Sequence, residues 1–312
     1  MSARDEHILV IKHGALGDLV LATGPFAAIR RHHPKARIVL LTTAAFEALA
    51  AESGFFDDVW RDDRPGWLDW RALLRLRRCF AETRFDRVYD LQTSDRTGLY
   101  FRFLFPRPRP EWSGIAKGCS HPDRNPDRGS LHTIERQREQ LGAAGIGDVP
   151  APSLDWVSAD LDRFDLPAAY ALIVPGGAPH RPEKRWPLAH FGELATKLVA
   201  DGLTPVVAGG ASEREAGVAI TAAEASARDL TGRTDLQELV VLARGARLAV
   251  GNDTGPMHIA AISGTVSVVL FGAGSEPSRA APRGRRVTVL QRSPLAALSV
   301  PEVLEAVRAA IS

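Results

Sequence analysis

Short apolar runs rich in Val, Ile and Leu alternate with stretches whose apolar residues recur every third or fourth position, almost from end to end of the chain. HILVIK (7–12) predicts a strand, DLVLATGPFAAIRRHHP (18–34) a helix stopped by Pro34, and ARIVLLTT (36–43) a second strand. AAFEALAAESG (44–54) reads as helix ending in glycine, and FDDVWR (56–61) and FDRVYDLQ (85–92) as further strands. Such alternation predicts a parallel sheet covered by helices on both faces. Residues 105–130, rich in Pro, Arg, Gly and Asp, break the rhythm and read as an irregular, partly mobile loop before a helix over SLHTIERQREQLGAAGI (130–146).

A second register starts after GDVPAPSLDWVSADLDRFDLP (147–167), whose prolines and mixed charge suggest a linker. YALIVPGGA (170–178) and LTPVVAGG (203–210) each run from strand into a glycine turn, RLAVGND (247–253) and TVSVVLFG (265–272) are strands, and the segments between them are helical. Two open α/β halves follow, expected over 1–155 and 165–290. Sheets of this kind bind ligands beyond the carboxyl ends of their strands. The last helix, PEVLEAVRAAIS, has no partner pattern of its own.

Length agrees with two domains: 312 residues, 45% of them hydrophobic, suffice for two packed cores. No apolar run approaches a bilayer span, and the acidic start MSARDEHILVIKHG does not resemble a secretory signal. Cys79 and Cys119, far apart, indicate neither a disulfide framework nor a zinc site, and are expected to be buried or idle. A net charge of +2 argues against a general nucleic-acid binder. Arginine is nevertheless concentrated in 61–87. A helix from about Trp67 would carry Trp70, Leu73, Leu74 and Leu76 as a packing stripe with Arg71, Arg75 and Arg78 on its flanks. The other use of that face is contact with an anionic lipid surface.

Three strand-end motifs carry the chemistry. In VGNDTGPMHIAAISG a strand ends at Asn252–Asp253 and a helix begins with Pro256 in its first turn. The N–H groups around Thr254 and Gly255 suit an anion, with Asp253 and His258 close by; the plainer reading of Asp253 is a helix cap. In VPGGAPHRPEKRWP, Gly176 and Gly177 allow close backbone approach and Lys184 and Arg185 supply charge suited to a diphosphate. VVAGGASERE offers Glu213 to ribose hydroxyls. In KHGALGDLVLATGP the spacing is G-x-x-G-D, which fits neither a dinucleotide fingerprint nor a phosphate loop. Asp18 would repel phosphate there. It serves either as a cap or as a base presented to a substrate, and the second reading fits the motif better.

Together these residues resemble glycosyltransferase family 9, the ADP-heptose:lipopolysaccharide heptosyltransferases. The likeness runs from about residue 7 to 285 and is strongest in ILVIKHGALGDLVLATGPFAAIRRHHPKARI, in KRWP, and in DLTGRTDLQELVVLARGARLAVGNDTGPMHIAAISGTVSVVLFG. It implies an α/β GT-B fold, two Rossmann-like domains with parallel sheets facing across a cleft, and a C-terminal helix (300–312) that crosses back onto the first domain. The first domain would bind the acceptor and the second the nucleotide sugar. Asp18 matches the family's general base, with Gly14, Gly17 and Gln92 on the acceptor side. Gly176, Gly177 and Lys184 would contact donor phosphate or sugar, Glu213 the ribose, Asp253 the heptose hydroxyls, and Thr254, Gly255 and His258 the diphosphate.

The implied reaction is an inverting, metal-independent transfer of heptose from ADP-heptose to Kdo or heptose of the lipopolysaccharide inner core, with no cofactor. It would take place in the cytoplasm, at the inner face of the membrane. The sequence leaves open another nucleotide sugar, a different glycan acceptor, or a non-catalytic nucleotide- or glycan-binding homologue. A nicotinamide-dependent oxidoreductase is disfavoured by the missing glycine fingerprint.

Overall fold

The computed structural model describes residues 6–177 and 182–312. It divides into two compact units, Met1–Pro152 and Ser153–Ser312.

The first unit is built on β1 (His7–Ile11), β2 (Arg37–Thr42), β3 (Asp58–Arg61), β4 (Arg87–Asp90), β5 (Glu111–Gly114) and β6 (His121–Pro122). All pair in parallel in the order β3-β2-β1-β4-β5-β6. Alternate residues of the strands feed two cores. Ile8, Val10, Ile38 and Leu40 meet Phe26, Ile29 and Leu141 on one face, while Leu9, Ile11, Val39 and Leu41 meet Phe80, Tyr100 and Trp112 on the other. Its helices are α1 (Leu16–Leu21), α2 (Thr23–His32), α3 (Glu47–Ala51), α4 (Trp70–Thr83), α5 (Asp95–Leu99) and α6 (Thr133–Ala143). The single helix expected over 18–34 is two. Pro25 has no N–H for the carbonyl one turn back, and the chain breaks at Ala22.

The second unit repeats the plan with β7 (Tyr170–Val174), β8 (Thr204–Val207), β9 (Arg228–Asp229), β10 (Leu248–Asn252), β11 (Ser267–Phe271) and β12 (Val287–Gln291). Their order is β12-β11-β10-β7-β8-β9, again all parallel. Its helices are α7 (Leu188–Ala200), α8 (Arg214–Ala223), α9 (Leu236–Gly245), α10 (Gly255–Ile262), α11 (Pro277–Ala280) and α12 (Val300–Ile311). Counted from its own first strand, each sheet runs 3-2-1-4-5-6, so strand order reverses between β1 and β4 and between β7 and β10. Crevices beyond the strand ends at such reversals are where these sheets take ligands.

Several expectations are corrected. Residues 105–130 hold β5 and β6, and Trp112 on β5 is fully buried against Phe101 and Phe105 at ring separations of 5.1 and 5.2 Å. The apolar face of the C-terminal helix packs into the core of the second unit. Val300, Val303, Leu304 and Val307 of α12 join Phe191, Leu194 and Trp186 in one core, and Arg308 grips Asp201 through two 2.8 Å bonds. On α4 the packing residues are Leu73, Leu76 and Phe80, whereas Trp70 and Leu74 face solvent together with Trp67 before the helix. Cys119 is buried but Cys79 is exposed.

Candidate functional site

In the first unit the site gathers at the end of β1. Gly14 takes φ +119°, and a Cβ on it would stand 2.7 Å from the Phe46 ring, so both backbone and space require glycine. His13 anchors the turn: its N–H donates to Gln92 Oε1 at 2.9 Å, and its Nε2 lies 2.9 Å from Asp62 Oδ2. The Tyr100 hydroxyl donates to the same Asp62 oxygen at 2.7 Å. Burial works to raise the Asp62 pKa, but the hydrogen bonds from His13 and Tyr100 outweigh it and the carboxyl lies below its ordinary range.

Asp18 is not the cap of α1. Ala15 occupies that position and makes no side-chain bond, while Asp18 is the third helical residue, with buried Gly17 just before it. Its half-buried carboxylate opens on a cavity of about 150 Å³ shared with Lys12, Gln92, Thr93, Arg128, Arg136 and Gln137. Lys12 donates to Leu91 O at 3.2 Å, and burial lowers its pKa against the opposing pull of Asp18 and Asp90. Arg128 bridges Asp123 at 2.5 Å and the Thr93 hydroxyl at 2.8 Å. Beneath them Asp90 is fully buried, and its pKa is pushed up to about 6 by that burial despite bonds from Thr97 and the Thr93 N–H.

In the second unit the site lies where β7 and β10 end. Asn252, fully buried, ties three segments together. Its Oδ1 accepts from the Trp186 N–H at 3.0 Å, and its Nδ2 donates to Pro175 O at 2.8 Å and Gly176 O at 3.0 Å. Asp253 Oδ2 receives Lys184 Nζ at 3.3 Å and the Ser275 hydroxyl at 2.6 Å. Thr254 stands at the cap of α10, Gly255 and Pro256 open the helix, and His258 is buried one turn in.

Glu213 accepts from Gly210 N at 2.8 Å and from the Ser212 hydroxyl at 2.8 Å, closing its own turn before α8. A Cβ on Gly176 would come within 3.0 Å of the Glu213 side chain, and one on Gly177 within 3.0 Å of Arg185. The two glycines therefore let these side chains lie on the backbone. Gly176, Arg185, Trp186 and Glu213 line a cavity of about 260 Å³. Lys184 and Asp253 form a second cluster at the neighbouring strand end. Residues 178–181 of the glycine–lysine motif fall outside the described residues.

Of the residues singled out in the sequence, Asp18 and Gln92 line the first cavity, and Lys184 pairs with Asp253 in the second unit. The sequence did not single out Lys12, Arg128, Arg136, Gln137, Asn252 or Ser275; Lys12 and Asn252 bond to segments 79 and 77 residues away.

Two doubly wound parallel sheets with charged side chains at both reversal points define an α/β architecture of the GT-B kind. Within it, the chain belongs to glycosyltransferase family 9 (heptosyltransferase), whose family model matches residues 73–303. Lipopolysaccharide heptosyltransferase 2 of Salmonella typhimurium is 28% identical over 306 residues, covering 91% of this chain and 87% of that protein. Its Escherichia coli K12 counterpart matches to the same extent, 28% identical over 91% of this chain and 87% of its own length. Among solved structures, E. coli ADP-heptose lps heptosyltransferase II superposes with a TM-score of 0.80 at 24% identity, covering 98% of each chain. The glycosyl transferase family 9 protein of Veillonella parvula superposes with a TM-score of 0.85 at 20% identity, covering 100% of this chain and 98% of its own.

Proposed function

We propose that this protein is an inverting glycosyltransferase that moves heptose from ADP-heptose to the Kdo or heptose of a lipopolysaccharide inner core. The observation that carries the reading is Asp18, an unclaimed carboxylate off the cap position of α1, opening on a cavity lined by Lys12, Arg128 and Arg136. The names of the relatives supply the donor and acceptor classes.

In this reading Asp18 takes the proton of the acceptor hydroxyl as that oxygen attacks the anomeric carbon. The bond from that carbon to the diphosphate breaks on the opposite face, and ADP departs with increasing negative charge. Lys184 and the N–H groups at the start of α10 stabilise that charge, and no metal ion is required of the step. Asp253, held by Lys184 and Ser275, has lone pairs left for heptose hydroxyls. Glu213 similarly keeps acceptor capacity for ribose hydroxyls beside its own turn.

The reading includes contact with the inner face of the membrane. Trp67, Leu68, Trp70 and Leu74 are 45%, 95%, 60% and 52% exposed among Arg64, Arg71, Arg75 and Arg78, an interfacial mixture of aromatic, aliphatic and cationic side chains. No helix among the described residues is long and apolar enough to cross a bilayer.

The direct test is incubation with ADP-heptose and lipopolysaccharide from heptose-deficient cells, followed by mass spectrometry of the core. One added heptose per core is expected, and thermal stabilisation should be greater with ADP than with UDP or GDP. Stronger stabilisation by UDP, with no heptose added, would replace ADP-heptose by another donor.

A further inference from the structure

We propose that Asp62 is a positioning residue for the transfer step: acting through the His13 ring, it fixes the turn from β1 into α1 and with it the Asp18 carboxylate. Asp62 has this role only where Asp18 is the base, so the assignment rests on the transfer reading above.

α1 does not carry its own anchor. It is six residues long, and Ala15 at its cap offers no side chain to the free N–H groups of the first turn. Leu19, Val20 and Leu21 bury its apolar face, but apolar packing is non-directional. The directional contacts lie two residues before the cap, at His13. Its N–H donates to Gln92 Oε1 at 2.9 Å, its carbonyl accepts from the Thr43 hydroxyl at 3.3 Å, and its ring Nε2 lies 2.9 Å from Asp62 Oδ2. Those three partners follow β4, β2 and β3. Of the three, only Asp62 holds the side chain.

Asp62 is itself held from every side. Its N–H donates to Thr42 O at 2.7 Å, its Oδ1 accepts from the Arg64 N–H at 2.7 Å, and its Oδ2 accepts from the buried Tyr100 hydroxyl at 2.7 Å. Arg96 braces Tyr100 in turn, with Nε donating to the hydroxyl at 2.6 Å and the far end of the guanidinium reaching Pro65 O at 2.6 Å. Being ionised, the carboxylate only accepts, so the His13 nitrogen facing it carries its proton and the ring orientation is set. Apolar side chains of equal volume often hold a fold as well as a buried charged network does. What the polar network adds here is direction, passed from Asp62 to the ring and from the ring to the backbone at the start of the turn. An amide in place of Asp62 would have one oxygen for three donors, His13, Tyr100 and the Arg64 N–H.

The turn has little room to settle elsewhere, because the Phe46 ring fills the space a Gly14 side chain would need. A base displaced by about 1 Å can lose on the order of 10²-fold in rate without any loss of substrate affinity.

The test measures kcat and KM on the full-length protein for Asp62→Asn, His13→Gln, Asp18→Asn and Tyr100→Phe, singly and combined. Asp62→Asn should lower kcat about 10–10²-fold while the KM for ADP-heptose stays unchanged. Tyr100→Phe, which removes one of the donors, should lower it about 3–10-fold. Because Asp62 acts through His13 on Asp18, adding Asp62→Asn to His13→Gln or to Asp18→Asn should cost less than about a further twofold. A merely structural role would add in full to both. Additive losses in either pair, or Asp62→Asn at the unmodified rate, overturn the assignment; should Asp62→Asn fail to fold, the same pairs made with Tyr100→Phe decide it. If the unmodified protein transfers no heptose, or Asp18→Asn keeps the full rate, the transfer reading fails, and segment-resolved hydrogen exchange judges the anchor separately. Amides of 14–22 must then exchange about tenfold faster in Asp62→Asn, with no further gain on adding His13→Gln, while β7 and β10 keep their protection. Unchanged exchange in 14–22 refutes it.

Discussion

Asp90 illustrates how a single buried group sets a pH dependence. Its pKa is raised to about 6, whereas an unfolded chain releases that proton near pH 4. Between those values the folded protein holds a proton that the unfolded chain has lost, so stability falls as pH rises through the window, by about 2–3 kcal/mol from this residue. Urea unfolding of Asp90→Asn at pH 4, 5, 6 and 7 should show this slope removed relative to the unmodified protein. Equal slopes would contradict the assignment. Asn252 is the corresponding case in the second unit. Asn252→Ala leaves the Trp186 N–H and the carbonyls of Pro175 and Gly176 without their buried partner. A loss of about 2–4 kcal/mol is expected, with weakened ADP binding as the loops at the ends of β7 and β10 separate. Measurement by urea unfolding and calorimetry checks both effects. Asp18, Lys184 and Asp253 were legible in sequence because each lies in a short strand-to-helix motif. Lys12 and Asn252 were not, since their roles depend on segments 79 and 77 residues away.

At the scale of elements, strand–helix alternation gave β1–β4, β7, β8, β10 and β11 and most of the helices between them. It failed for β5 and β6, where Pro106, Pro108 and Pro110 precede a strand of only four residues. Two-residue β9 is too short to show a period, and β12 lies in an arginine-rich stretch at the sheet edge. The destination of α12 was invisible for another reason. Its apolar face, Val300, Val303, Leu304 and Val307, fits any sheet of suitable shape, and only the packed core shows which one it covers. Leu304→Ala should cost about 2–4 kcal/mol, felt in the second unit. Hydrogen exchange resolved by segment checks this: β10 and β11 should lose protection while β1 and β2 keep theirs. The reverse pattern would return α12 to the first unit. On α4 the periodicity was correct but the buried face was not, because Trp70 and Leu74 satisfy helical spacing as well as Leu73 and Leu76 do.

The whole molecule repeats one strand order twice, and in each unit the groups with chemical potential collect at the reversal. This much was legible as two α/β halves; the division of labour between them is what the proposed reaction adds. One consequence concerns lipid. Vesicles containing anionic phospholipid should co-sediment the protein, and Trp67→Ser combined with Leu68→Ser should abolish this while leaving transfer to a water-soluble core oligosaccharide intact. Unaltered sedimentation would remove the segment before α4 from the membrane contact. The most direct test of the central claim is transfer and donor binding measured together on Asp18→Asn. The account predicts that ADP-heptose binds as before while the transfer rate falls about 10²–10⁴-fold. Transfer at the unmodified rate, or loss of donor binding in parallel with rate, would contradict it.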